Sequence, residues 1–253
     1  MQGSSAFQVA RAAYRAGLLS RRQLLDDALA DLRFRVRGAT DADSLALRER
    51  VAGSLAGVRQ VELERLSVDV LAGILPRVYP EMLALGYAHQ DAGRRVYIVT
   101  AAAQPLAATL ARVMGFDGAI GSDLSEVIDG VFTGRATGVF VYRSGKAGAI
   151  EALAAREGVD LAASYAYSDS ESDLPMLWLV GHPVAVNPDG ALARTAREQG
   201  WEIVRLDRLG RRLKATAAMA GAAAAGGMAS AALVRRRRPG LSAAWRWRLA
   251  GMP

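Results

Sequence analysis

The stretch VYIVTA, residues Val96–Ala101, marks the point where the sequence changes from helical to strand-forming character. It is short, continuously apolar and rich in β-branched residues, a pattern typical of a strand buried on both faces of a parallel sheet. Parallel strands need crossover connections, which are usually helices, so the flanking sequence should alternate strands with helices.

Downstream of this strand, apolar runs and helical patterns do alternate. In chain order, we predict an amphipathic helix over Pro105–Met114, the short segment GAIGSD, a hairpin over Val131–Tyr142, a helix over Lys146–Glu157, a strand over Ser164–Ser168, a helix that opens near Ser172–Pro175, a strand over Pro183–Asn187, a helix that ends at Gln199 and a last strand, WEIVRL. This alternation predicts an α/β fold with a doubly wound parallel sheet.

Upstream of the strand, the sequence has helical character. Residues 6 to about 92 carry apolar side chains at three- and four-residue spacing, as between Leu25, Leu29 and Leu32, and no alternating run. Glycine and short polar side chains favour turns and caps, so we predict breaks between helices at residues 38–43 and 53–57.

Composition excludes several kinds of site. The 253 residues include no cysteine and only two histidines, His89 and His182. Disulfides, thiolate nucleophiles, cysteine-ligated metals and histidine-rich metal sites are therefore ruled out within this sequence.

The net charge of +7 is concentrated near the C-terminus. Residues 205–253 carry ten net positive charges, and the preceding residues carry three net negative charges. Within the tail, the twenty uncharged residues Ala215–Val234 precede four arginines, which fits a membrane-associated helix with a basic cytoplasmic end. Their alanine and glycine content gives a weak drive for insertion, so a flexible or surface-lying tail is the alternative.

Charge and termini also indicate location and partners. The first 25 residues lack the pattern of a secretory signal, so we expect a cytoplasmic body, with membrane association through residues 215–248. We expect no nucleic-acid partner, because the basic run lacks interleaved aromatic residues at a folded site.

In a doubly wound sheet, ligands bind at the carboxyl ends of the strands. Thr100 stands where the first apolar run stops, so its hydroxyl and the nearby backbone N–H groups could bind a phosphoryl oxygen. A threonine that only caps the next helix is the alternative interpretation.

Lys146, in the segment SGKAGAI, opens the predicted helix after the hairpin. It is one of two lysines in a chain with thirty arginines. A compact ammonium on a flexible stem can approach a phosphate or a carboxylate as a point charge, although a solvated lysine at a helix start is the alternative.

The segment YAYSDSESDLPML, residues Tyr165–Leu177, carries the strongest chemical signal. Asp169 ends a strand, and Asp173 lies four residues later in the first turn of a helix. Two carboxylates at this spacing can converge, and Mg²⁺ takes one or two protein carboxylates together with waters and phosphate oxygens. We therefore predict a magnesium site at these two aspartates.

The order VTA, SGKAGAI, YSDSESDLPML and AVNPD resembles motifs II to IV of the haloacid dehalogenase superfamily, in particular its phosphoserine-phosphatase-like subfamily IB hydrolases. The resemblance implies a phosphomonoester hydrolase that acts on a small phosphorylated substrate. It implies that Thr100 holds the phosphoryl group, that Lys146 neutralises charge, and that Asp169 and Asp173 bind Mg²⁺. Asn187 matches a recurrent element of the substrate site.

The resemblance also implies a domain organisation. Residues 1–92 correspond to a helical cap of the C1 type that shields the site and selects the substrate, and residues 93–206 correspond to the α/β core. Residues 207–253 form the basic tail.

One motif of the family has no counterpart in the sequence. The reaction of the family needs DxDxT at the end of the first strand, where one aspartate attacks phosphorus and the second acts as acid and base. The pair Asp41 and Asp43 lacks a preceding apolar strand, so we interpret it as a loop or helix cap. We expect the nucleophile and the first central strand to lie upstream of Met1, and the chain as given to be inactive; a phosphate- and metal-binding module without a nucleophile is the alternative.

Overall fold

The computed structural model describes residues 5–17 and 41–206, and those up to Val204 belong to one compact unit. The predicted tail helix over 215–234 and the membrane contact over 215–248 lie outside these residues. Within the described ranges, no helix is long and apolar enough to cross a membrane.

The first part of the chain is helical wherever it is described. Its helices are α1 (Ser5–Arg15), α2 (Asp41–Ser54), α3 (Gln60–Ile74), which runs into a 3₁₀ turn at Leu75–Arg77, and α4 (Pro80–Asp91). The predicted break at 53–57 is confirmed, because α2 ends at Ser54. The predicted break at 38–43 is wrong for residues 41–43, which form the first turn of α2, and residues 38–40 lie outside the described residues.

The strand predicted at Val96–Ala101 is β1 (Tyr97–Ala103), which pairs in parallel with β2 (Gly118–Ser122) across the helix α5 (Gln104–Val113). The sequence analysis left β2 unassigned because two glycines in five residues weaken the strand signal. Gly121 is required by packing, because a Cβ there would lie 2.7 Å from the Cα of Gln104.

The expectation that β1 is buried on both faces is wrong, because all seven of its residues are only half-buried. Among the described residues β1 pairs on one edge only, with β2, and the register slips between Val99 and Ala103.

The predicted hairpin over Val131–Tyr142 lies elsewhere. The observed hairpin joins β3 (Val127–Ile128) to β4 (Val131–Phe132). Its turn residues, Asp129 and Gly130, both have left-handed φ angles, 51° and 75°, which the Asp-Gly pair tolerates. The prediction placed the turn at a glycine within Val131–Tyr142. The Asp129-Gly130 pair, which is a stronger turn signal, lies just before that stretch.

The second half of the unit alternates helices with parallel strands, as predicted. Its elements are α6 (Ser144–Glu157), β5 (Tyr165–Ser168), a 3₁₀ turn at Glu171–Asp173, α7 (Leu174–Leu177), β6 (His182–Val186), α8 (Gly190–Glu198) and β7 (Glu202–Val204). The strands form one parallel sheet in the order β5-β6-β7. A core that includes the fully buried Leu177 and Leu192 covers this sheet, and Val99 of β1 packs against it.

The α/β class is therefore confirmed, with parallel strands joined by helices. Across residues 5–17 and 41–206, however, no backbone ladder joins β1 to β5, so the strands lie in two parallel sheets, β1-β2 and β5-β6-β7. The two sheets share a core through Val99, because its side chain contacts the cluster built on β5, β6 and α8.

Candidate active site

Lys146 is held by the first turn of α6, and its position depends on the glycine before it. A Cβ on Gly145 would overlap the carbonyl oxygen of Phe140, so only glycine lets the loop pass this close to the helix start. The Gly145 N–H donates to the Tyr142 carbonyl at 2.9 Å, which closes the turn that leads into the helix. The lysine side chain is thereby directed inward, and only 11% of it is exposed.

The Lys146 ammonium donates to Asp173 Oδ1 at 2.6 Å, and both side chains are buried. The second carboxylate oxygen of Asp173, Oδ2, accepts from the Ser168 hydroxyl at 2.7 Å. Each charge thus has a close partner, which is the condition for burying an ion pair without leaving an unpaired charge. The sequence predicted both residues at the site, but it gave no sign that they pair.

Asp169 follows β5 directly, at the carboxyl end of the strand. Burial raises the pKa of its carboxyl above the usual range, the Asp173 carboxylate raises this pKa further, and Lys146 opposes the shift. Its backbone carbonyl accepts from the Asp189 N–H at 2.9 Å, which fixes the chain at this point. A desolvated carboxylate beside a second carboxylate is a place where a bound cation lowers the electrostatic energy.

The donor set fits a magnesium ion. Among the described residues there is no cluster of three or more histidine, cysteine, aspartate or glutamate side chains that could enclose a metal. Mg²⁺ does not need one, since it is commonly held by one or two carboxylates and completes its shell with waters and substrate phosphates. Asp169 and Asp173 offer hard oxygen ligands of this kind.

Three serines, at the end of β5 and in the loop after it, were not predicted as residues of the site. The Ser168 hydroxyl also accepts from the Ser170 N–H at 3.2 Å, and the Ser170 hydroxyl caps the 3₁₀ turn by accepting from the Ser172 N–H at 3.3 Å. Serine hydroxyls bond readily to nearby backbone groups, so serine at every second position was an available signal. The three serines hold the loop between the two aspartates.

Asn187 and Asp189 follow β6, and Asp189 holds the loop after β5 in place. Asn187 follows β6 with φ 48°, a left-handed conformation that asparagine tolerates, and its N–H donates to the Val204 carbonyl at 2.8 Å. The Asp189 carboxylate accepts from the N–H groups of Glu171 and Leu192, both at 2.8 Å, and so joins the loop to the start of α8. The aspartate in AVNPD was missed as a site residue, although an aspartate just before a predicted helix is a capping signal.

Thr100 lies in the irregular part of β1. Its hydroxyl oxygen accepts from the Ala102 N–H at 3.2 Å, an interaction local to its own strand. The structure gives no hydrogen bond or ion pair from Thr100 to Lys146, Asp169 or Asp173. The structure thus joins Lys146 to Asp173 by direct contact and places Asp169 close enough for both charges to affect its pKa. The functional roles of all five predicted residues, including Asn187, stay predictions.

Residues 1–177 match a family model described as haloacid dehalogenase-like hydrolase. A protein named phosphoserine phosphatase SerB1, from Mycobacterium tuberculosis strain H37Rv, is 39% identical over 242 residues, which cover 94% of this chain and 77% of that protein.

Solved structures agree with this family match. A Bordetella pertussis protein of unknown function is 29% identical with a TM-score of 0.67, over 79% of this chain and 91% of that one. A probable phosphoserine phosphatase from Vibrio cholerae has the same fold, with a TM-score of 0.56 at 21% identity over 89% of this chain and 65% of its own.

Proposed function

The chain belongs to the haloacid dehalogenase-like hydrolase family, and we propose that it is a Mg²⁺-dependent phosphomonoester hydrolase. One observation carries the proposal: the buried pair of Lys146 and Asp173 lies beside the desolvated carboxylate of Asp169, at the carboxyl end of β5. Parallel α/β sheets bind their ligands at this end. The similarity to SerB1 supports a phosphatase rather than another hydrolase of the family.

In this proposal, Lys146 and Thr100 bind the phosphoryl group. Lys146 neutralises negative charge at the reacting oxygens, and its pairing with Asp173 keeps the ammonium in place before substrate arrives. Thr100 donates its hydroxyl hydrogen to a phosphoryl oxygen, because its oxygen already accepts from Ala102 and the hydrogen is free to rotate.

Asp169 and Asp173 are the residues that would hold Mg²⁺. When bound, the ion supplies positive charge where the phosphoryl oxygens gather negative charge. Ser168 keeps the Asp173 carboxylate oriented, and the backbone bond from Asp189 to Asp169 keeps the strand end in register with its neighbour. The chain therefore supplies two ligands, and waters or substrate complete the shell.

The aspartyl-phosphate route of the family needs an attacking carboxylate. No DxDxT occurs in the 253 residues, and Asp41 and Asp43 lie in the first turn of α2. We place the nucleophile upstream of Met1. Among the described residues β1 and β5 each pair on one edge only, and the remaining edges can pair with a further strand, which supports this placement.

The substrate in this proposal is a small phosphorylated molecule, and phosphoserine is the first to test because the relative SerB1 carries that name. Residues 1–92 act as the cap and residues 93–206 as the catalytic core. The helices α3 and α4 also contact the core, since α3 packs against Leu106 and Leu110 of α5 and His89 of α4 bonds to the Tyr167 hydroxyl of β5. Membrane attachment through residues 215–248 stays a prediction.

The alternative is a binding module that holds phosphate and metal without turnover. The absence of DxDxT from the sequence favours it, because the groups seen at the site can bind a phosphate ester without an attacking carboxylate. Turnover by the protein as its host produces it separates the two proposals.

The experiment measures phosphate release from O-phosphoserine and from p-nitrophenyl phosphate, with and without Mg²⁺, by the protein in the form that its host produces. We expect Mg²⁺-dependent turnover that the Asp169→Asn form loses by at least a hundredfold. Asp91→Asn is the matched control, because it removes an exposed carboxylate at the end of α4. Tight binding of the ester without turnover would favour the binding module, and turnover retained by Asp169→Asn would contradict the assignment of the site.

A further inference from the structure

Arg143, three residues before Lys146, is a half-buried cation without a close partner among the described residues. Its side chain is 18% exposed, and its Nε and Nη1 atoms are themselves buried with no hydrogen-bond acceptor in the described part of the chain. The nearest carboxylate oxygen in an ion pair, Glu171 Oε2, lies 3.9 Å from Nη1, which is too far for a hydrogen bond. Buried N–H groups that lack acceptors lose their hydrogen bonds to water without replacement, so this arrangement is unfavourable unless another group accepts them.

Two further features of Arg143 are unfavourable. Its φ of 49° and ψ of −120° place a non-glycine residue in a rarely populated region. It also precedes the first turn of α6, where the positive end of the helix dipole repels a cation. An ordinary surface arginine would have neither the missing acceptors nor the strained backbone nor the repulsion from the helix dipole. An anion bound here would offset the two electrostatic terms, namely the missing acceptors and the dipole repulsion.

The position of Arg143 relates it to the proposed site. Glu171 lies between Asp169 and Asp173 in the loop after β5, so the guanidinium faces the segment that carries both carboxylates. Lys146 has its charge balanced by Asp173 at 2.6 Å, whereas the charge of Arg143 is only loosely balanced at 3.9 Å. Of these two cations, Arg143 is therefore the one whose charge is better able to attract and bind an anion.

We propose that Arg143 is a specificity-determining residue that binds an anionic oxygen of the substrate. In the absence of substrate, Glu171 keeps the guanidinium in position. The inference rests on the proposed function and adds a requirement to it, namely an oxyanion within reach of Arg143. That oxyanion has two sources, the phosphoryl group itself or a carboxylate on the organic part of the phosphomonoester. A guanidinium binds both with charge-assisted hydrogen bonds.

The test compares Arg143→Gln, Arg143→Lys and the matched control Arg112→Gln, which removes an exposed arginine on α5. Affinity for inorganic phosphate is measured by calorimetry in the presence of Mg²⁺, and kcat/KM is measured on phosphomonoesters of a neutral alcohol and of a hydroxy acid. We expect Arg143→Gln to lose about ten- to a hundredfold in one of these readouts, Arg143→Lys to lose less, and Arg112→Gln to match the wild type.

The pattern of loss identifies the oxyanion. Weaker phosphate binding together with equal losses on both esters assigns Arg143 to the phosphoryl group. Unchanged phosphate binding with a loss confined to the hydroxy-acid ester assigns it to the carboxylate. Should Arg143→Gln fail to fold, the wild-type protein still decides, because the Arg143 Nε–H resonance is expected to shift on addition of phosphate or of the hydroxy-acid ester.

Other outcomes overturn the inference. If Lys146→Met abolishes phosphate binding while Arg143→Gln changes no readout, the proposed function stands and the role of Arg143 is wrong. An Arg143 Nε–H resonance that moves with neither ligand contradicts the role in the same way. If the wild type neither binds phosphate nor hydrolyses either ester, both proposals fail together.

Discussion

The two parallel sheets of this protein differ in how completely the described chain builds its own site. At the end of β5, Lys146, Asp173 and Ser168 form a buried set of bonds of 2.6 and 2.7 Å. In β1, Thr100 lies at the middle of the strand rather than at its predicted end, its hydroxyl bonds only locally, and the strand is half-buried throughout. The side chains at the end of β5 are therefore held in position before a ligand binds, whereas the position of Thr100 in β1 depends more on the groups that bind next to that strand.

The largest effect should come from breaking the charge pair of the β5 side. Replacing Asp173 by leucine leaves the Lys146 ammonium buried without a partner, and we expect the free energy of unfolding to fall by about 3–5 kcal/mol in urea denaturation. The double change Lys146→Met and Asp173→Leu should recover most of this loss, because it leaves no unpaired charge. A single Asp173→Leu change that costs under about 1 kcal/mol would contradict the pairing.

The next effect concerns the turn that places Lys146. Gly145→Ala puts a methyl group on the Phe140 carbonyl, and we expect a loss of about 1–3 kcal/mol together with weaker phosphate binding, because the start of α6 must shift. Gly148→Ala, in the same helix with open space around its Cα, is the matched control and should be neutral or slightly stabilising. Equal stability of the two variants would show that the loop and the helix start are not in close contact.

A smaller loss of stability is expected when one hydroxyl group is removed from each of the two sheets, and the loss should differ between them. Ser168→Ala leaves the buried Oδ2 of Asp173 without its donor, so we expect a loss of about 1–2 kcal/mol. Thr100→Val removes a hydroxyl from β1, where it makes one local bond at 3.2 Å, and should cost less than about 0.5 kcal/mol. Thermal or urea unfolding of both variants measures the contrast, and similar losses would remove the difference between the two sides.

The smallest effect is a pH dependence where α4 meets β5. His89 bonds to the Tyr167 hydroxyl at 2.8 Å, and burial lowers its pKa below the usual value, with Arg94 lowering it further. The unfolded chain therefore takes up a proton at higher pH than the folded chain. Stability should fall as pH drops below about 6.5 and level off below the pKa of the folded state, by about 1.4 kcal/mol per unit of difference.

Denaturation between pH 7 and pH 5 tests this prediction. The His89→Gln form should lose the dependence in that range. The His182→Gln form, which removes an exposed histidine, should retain it. Parallel pH profiles for wild type and His89→Gln would show that His89 does not titrate differently in the folded state.

The same contrast explains what the sequence could predict. The strands β5, β6 and β7 and the helices around them were predicted because short runs of apolar or aromatic residues and helical spacing are local signals. The strand β2 was missed because its glycines weaken the strand signal. Gly121 is required by the close approach of the Gln104 backbone, and no local sequence pattern indicates such a contact. The half-buried state of β1 depends on which strands pair with it, and pairing is a long-range property.

At the site, residue types were predictable and contacts were not. Asp169, Asp173 and Lys146 were identified as site residues by their places after a strand or at a helix start. Lys146 pairs with Asp173 across 27 residues, with Ser168 on the other carboxylate oxygen, and this pairing follows from how α6 packs against α7. The loose pairing of the Arg143 guanidinium could not be read from the sequence for the same reason, because it depends on which acceptors lie near Nε and Nη1 in three dimensions.

The central claim is that Asp169, Asp173 and Lys146 form a Mg²⁺-dependent phosphate site. Calorimetric titration of inorganic phosphate, with and without Mg²⁺, into the wild-type and Asp169→Asn proteins tests it most directly. We predict that Mg²⁺ raises the phosphate affinity of the wild type at least tenfold and has no such effect on Asp169→Asn, because the metal and the phosphate share this carboxylate. A phosphate affinity that is insensitive to Mg²⁺, or equally sensitive in both proteins, would contradict it.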